Sequence, residues 1–129
     1  MNSRTKFALA MTAGLFGSVL ALAPAAQAGS TTVSGYDNCG SGWICFYSEQ
    51  NGNGQKCQWS QSSTDTRSQC SWMAAGTNTR SVYNRTGSRF HYYHNVNYTN
   101  RIGSTTAGNK GNLAGTYTIG SLCAGSCPG

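Results

Sequence analysis

The sequence is poor in acidic side chains: Asp37, Glu49 and Asp65 are all it carries in 129 residues, and histidine adds only His91 and His94. Acid–base catalysis, nucleophile activation and paired-carboxylate chemistry need positioned groups of these types, so the supply argues against an enzyme. Positive charge is also thin. Nine Lys and Arg residues set a formal charge of +6. Yet Lys56, Arg67, Arg80, Arg85, Arg89, Arg101 and Lys110 are scattered, without the dense basic stripe that neutralises many phosphates. No nucleic-acid partner is expected. Beyond the N-terminus there is no apolar stretch long enough to span a bilayer, and no amphipathic helical period that would support membrane insertion.

The single long apolar run is N-terminal. In "MNSRTKFALAMTAGLFGSVLALAPAAQAGS", Arg4 and Lys6 precede the run and Ala26-Gln27-Ala28 ends it, the pattern of a secretory signal peptide with an A-x-A cleavage site over residues 1–28. Gly14, Gly17 and Pro24 interrupt it and no stop-transfer pattern follows, which disfavours a membrane anchor. Cleavage after Ala28 is expected to leave one secreted, extracellular domain, residues 29–129, expected as a monomer. Loss of Arg4 and Lys6 lowers the formal charge from +6 to +4. A domain of roughly 100 residues has a core of marginal stability and benefits from staples.

The staples are present. Cys39, Cys45, Cys57, Cys70, Cys123 and Cys127 all lie in the exported part, and an even number in an oxidising compartment reads as three disulfides. Many pairings are possible; closeness along the chain favours Cys39–Cys45, Cys57–Cys70 and Cys123–Cys127. Cys123-x-x-x-Cys127 also resembles half a zinc ligand set, but no matching Cys/His pair accompanies it.

After Asp37 the chain alternates short aromatic or β-branched runs with Gly/Asn/Ser clusters, the pattern of an all-β domain. Expected strands are Trp43 to Ser48, Gln55 to Ser60, Arg80 to Asn84, Arg89 to His94 and Thr116 to Leu122. Turns such as "NGNG", "NRTG" and "AGNKGN" bound them. His91 and His94, three apart in a strand, fall on opposite faces and are not placed to chelate one ion.

An internal repeat follows. "YSEQNGNG" (Tyr47 to Gly54) and "YHNVNYTN" (Tyr93 to Asn100) share a spacing, and Ile44, Phe46 and Tyr47 correspond to Phe90, Tyr92 and Tyr93. Gly and Asn tolerate positive φ most easily, so Gly54 and Asn100 are expected at equivalent positions of a hairpin bend, each covered by the tyrosine seven residues earlier.

Tyr-x-x-x-x-aromatic-x-Gly, twice in the chain, resembles the Greek-key motif of βγ-crystallin-like domains. The first copy lacks its second aromatic, and the second replaces Gly by Asn100. Read with "CGSGWICFYSEQNGNG" and "TRSVYNRTG", the sequence is similar to the secreted peptidase-inhibitor family typified by the Streptomyces metalloproteinase inhibitor, over roughly Cys39 to Leu122. The resemblance implies one βγ-crystallin-like domain of two Greek keys that needs no cofactor. It would inhibit an extracellular metalloproteinase of the thermolysin type by presenting a rigid loop. The family's reactive bond lies in a cysteine-closed loop after the first hairpin of the second motif, where this chain has "NYTNRIGSTTAGN" without cysteine. Thermolysin-like enzymes prefer an apolar residue after the scissile bond, so Arg101 and Ile102 are the inhibitory-loop candidates. A second candidate is "QWSQSSTDTRSQ", closed if Cys57 pairs with Cys70 and exposing Arg67.

The alternatives are a crystallin-like binding protein and a killer-toxin-like antimicrobial protein. Calcium needs several oxygens, preferably charged, and neither "TNTRSV" nor "GNKGNLAG" carries a carboxylate. No metal site is expected. Asn84-Arg85-Thr86 and Asn97-Tyr98-Thr99 match glycosylation acceptors.

Overall fold

Strands this short, rich in aromatics and separated by glycine turns, bury apolar surface only by pairing and stacking as sheets. The computed structural model describes residues 35–129; the expected leader lies outside the described residues. Seven strands form among the described residues: β1 (Ile44–Tyr47), β2 (Lys56–Trp59), β3 (Ser81–Asn84), β4 (Phe90–Tyr93), β5 (Arg101–Thr105), β6 (Lys110–Asn112) and β7 (Ser121–Ala124). One helical turn, α1 (Ser71–Ala74), separates β2 from β3. The sheets run β2-β1-β3-β6 and β7-β4-β5, antiparallel throughout.

The two halves exchange segments. β6, from the second half, completes the first sheet, while Ser63, from the first half, bridges Leu122 on the second. That exchange makes a pair of interlocked Greek keys.

Alternation along β1 sends Ile44 and Phe46 to the core between the sheets, with Trp59, Trp72, Met73, Val82, Phe90, Tyr92, Ile119 and Leu122. Burying each such side chain contributes about 1.5–3 kcal/mol. Phe46 meets Tyr92 edge-on at 5.5 Å, joining the two halves at equivalent positions of the repeat. Cys45 and Tyr47 point the other way, to the face an antiparallel sheet usually gives to water. Here that face is covered by residues 35–43. Tyr36 packs edge-on against Tyr47 (5.7 Å) and Tyr83 (5.8 Å), and the Lys110 ammonium lies 5.2 and 5.0 Å from the Tyr36 and Tyr83 rings. The Tyr47 hydroxyl donates to Asn38 Oδ1 at 2.9 Å, and Arg85 donates to the Cys39 carbonyl at 2.8 Å.

Disulfides join Cys39–Cys45, Cys57–Cys70 and Cys123–Cys127, the pairs that proximity along the chain favours. Four local expectations change. "RIGST", expected as part of a loop, forms β5, and "KGN" forms β6, because β4 and β3 supply hydrogen-bonding partners that outweigh weak intrinsic preference. The last strand begins at Ser121 rather than Thr116, and α1 is a helical turn that no sequence period announces. Asn84, a glycosylation acceptor by motif, is fully buried. Its Nδ2 donates to the Ser88 and Thr105 carbonyls at 2.8 and 2.9 Å, and its Oδ1 accepts from Thr86.

Candidate functional site

The repeat resolves into two bends of matching backbone. Asn51 and Asn97 have φ of 59° and 58°, Gly52 and Tyr98 73° and 60°, and Gly54 and Asn100 82° and 62°. Left-handed geometry at three positions is what Gly and Asn accept with little strain; Tyr98 is held there by its surroundings. A serine one strand away secures each bend. Ser81 Oγ donates to the Glu49 carbonyl (2.7 Å) and accepts from the Gly52 amide (2.9 Å). Ser121 Oγ does the same for the Asn95 carbonyl (2.7 Å) and the Tyr98 amide (3.0 Å). Sequence reasoning missed this pair, although each serine opens the last strand of its half.

The bends differ in what covers them. At the first, Gly35 and Tyr36 lie so close that a Cβ on Gly52 would come within 2.6 Å of the Tyr36 amide nitrogen. The second carries its own aromatic: Tyr98 lies 5.6 Å from Tyr93, and its tip, Asn95 to Asn97, stays exposed.

The Cys57–Cys70 loop braces this second bend. Thr64 accepts from the Asn97 amide at 2.9 Å, and Arg67 donates to the His94 carbonyl at 2.6 Å. Arg67 is therefore half-buried and committed to the scaffold rather than displayed. Asp65 Oδ1 accepts from the Arg67 and Ser68 amides at 3.1 and 3.2 Å, and Thr66 bonds the Gly120 and Ile119 carbonyls just before β7. The loop is welded to β7 and to the bend together.

Arg101 and Ile102 lie in β5, an edge strand of the second sheet, not in a projecting loop. Arg101 is exposed and pairs with Tyr93, while Ile102 is half-buried against the core. The two histidines stay apart. His91 Nε2 faces the Gly125 carbonyl at 3.2 Å, and its pKa is lowered, first by burial and then by Arg101. His94 Nδ1 faces Thr118 Oγ1 at 2.7 Å. A surface cavity of about 220 Å³ between β3, β5 and β6 is lined by residues that include Val82, Arg89, Tyr92, Ser104 and Leu113, with no carboxylate or imidazole among them. Among the described residues, no three His, Cys, Asp or Glu side chains converge as a metal-ligand group.

Two interlocked Greek keys with equivalent left-handed bends define a βγ-crystallin-like domain. Solved structures agree. One bearing on the evolution of the eye-lens βγ-crystallin domain fold superposes with a TM-score of 0.55 at 15% identity, covering 70% of this chain and 92% of that one. IPSE/alpha-1 from Schistosoma mansoni eggs gives 0.51 at 20%, covering 66% and 86%. Both are likenesses of fold. The family comes from the sequence: residues 32–105 match the model of peptidase inhibitor family I36, and the chain belongs to that family. No curated protein matches it.

Proposed function

We propose that this protein is a secreted inhibitor of an extracellular metalloproteinase of the thermolysin type, acting by a rigid surface element that occupies the enzyme's cleft. The family match, which spans both bends and β5, carries the reading. Its physical support is preorganisation. A loop ordered before association loses little conformational entropy on binding, and here a disulfide, two anchoring serines and the Arg67–His94 bond hold the exposed segments in place. The leader over residues 1–28 fits export, and the scarcity of acid–base groups fits an inhibitor rather than a catalyst. Arg101–Ile102, on an edge strand, is the competing contact element, one that an extended cleft would meet by strand addition.

Titrating thermolysin with the purified secreted protein tests the reading. Activity should fall linearly to an equivalence point near one inhibitor per enzyme. Undiminished activity in thermolysin and in a panel of other metallo-, serine and cysteine peptidases at micromolar protein would overturn it.

A further inference from the structure

Val96 is an anomaly of the repeat. It stands at the tip of the second bend, 38% exposed, flanked by exposed Asn95 and Asn97. Its equivalent in the first bend is Gln50, also exposed. The bend geometry is the same in both copies, so the motif does not require an apolar side chain there. Val96 also adds nothing to either hydrophobic cluster. The other large exposed apolar side chain among the described residues, Trp43, is 37% exposed just before β1, where Gly40 lies against its ring.

Around Val96 the backbone is anchored on every side. The Asn95 carbonyl accepts from Ser121 and the Asn95 amide donates to Thr99 (3.2 Å). The Val96 carbonyl accepts from Thr99 Oγ1 (3.0 Å), and the Asn97 amide donates to Thr64. Two residues before Val96, Arg67 holds the His94 carbonyl. An apolar side chain is thus displayed on a fixed backbone, which is how a binding anchor avoids ordering cost.

We propose that the second bend, with Val96 at its tip, is the element that enters the peptidase, and that Val96 fills the apolar pocket on the primed side of the scissile position. This deepens the inhibitor reading and rests on it. The geometry also accounts for resistance to cleavage. Peptidases bind substrates extended, whereas here the chain turns left-handed at Asn97 and Tyr98, immediately after Val96. The pocket is filled, but the chain leaves the cleft before an extended substrate would. Ile102 is a weaker anchor, because its side chain is shared with the core.

The test compares Val96→Thr, which keeps the shape and removes the apolar contact, Val96→Asp and Arg101→Ala, all in the secreted protein assayed against thermolysin. Both Val96 variants should melt within about 2 °C of the parent, because a surface substitution away from packed features changes stability little. Inhibition should weaken at least about tenfold for Val96→Asp and less for Val96→Thr, with Arg101→Ala within about twofold. Retained inhibition in Val96→Asp, or a loss confined to Arg101→Ala, overturns the assignment and leaves the inhibitor reading standing. A parent protein that inhibits no peptidase removes both.

Discussion

Ser121→Ala takes away one oxygen that serves two backbone groups of the second bend, the Asn95 carbonyl and the Tyr98 amide. Ser121 is fully buried, so no water is at hand to replace it. A neutral hydrogen bond contributes about 1 kcal/mol net, so losing two should destabilise the domain by about 2 kcal/mol. For a domain of this size that lowers Tm by roughly 8–16 °C. Ser81→Ala removes the same two contacts from the first bend and should shift Tm by a similar amount. The two variants should part company in inhibition. Below the melting range of both, Ser121→Ala loosens the bend that carries Val96 and should raise the inhibition constant several-fold, whereas Ser81→Ala should leave it near the parent value. Thermal melts by circular dichroism and titration against thermolysin, on the same preparations, measure both. A Ser121→Ala protein melting within about 2 °C of the parent would refute the hydrogen-bond reasoning. Equal loss of inhibition in the two variants would refute the asymmetry between the bends.

Two further outcomes follow from the scaffold. Replacing Cys57 and Cys70 together by serine opens a bridge with a sequence separation of 13. It should lower unfolding free energy in urea by about 3 kcal/mol on the loop-entropy model, and should speed cleavage of the inhibitor, since Thr64 and Arg67 no longer brace the bend. Alkaline pH acts on the buried tyrosines. Burial first, then neighbouring Tyr36 and Tyr83, raises Tyr47 to about 12. Burial first, then Tyr117, raises Tyr92 to about 12 against the opposing hydrogen bond from Thr105. The unfolded chain ionises these phenols near their ordinary value of about 10, so their contribution is intact below that pH and is lost as pH rises toward 12. Denaturant midpoints measured at successive pH values should fall across that window, and a midpoint constant from pH 9 to pH 12 would contradict the assignment.

Much of the scaffold was legible because its constraints are local. Left-handed backbone at Gly54 and Asn100 follows from residue type at a repeated spacing, and the structure places both there. The cysteine pairs follow from short separations along the chain. Strand character in β1, β3 and β4 follows from aromatic and β-branched runs. β5 and β6 were not legible, because Gly103, Lys110, Gly111 and Asn112 have little strand preference and become strands only through partners distant in sequence.

The same division holds for the site. Arg101-Ile102 drew attention as an apolar residue among polar neighbours, a one-dimensional criterion, yet "NVN" satisfies it equally well. Which apolar side chain faces solvent depends on packing: Ile102 leans on the core and Val96 does not. The covering of the first bend by Gly35 and Tyr36, and the bracing of the second by Thr64, Arg67 and Ser121, join residues far apart in the chain. By itself the sequence determined an all-β chain with two repeated bends, short-range bridges and few catalytic groups, because residue chemistry and near-neighbour spacing suffice for these. Only the tertiary structure decided what covers each bend, Gly35 and Tyr36 packing on Gly52 in the first and Tyr98 packing on Tyr93 in the second, because exposure is a property of what the rest of the chain leaves uncovered.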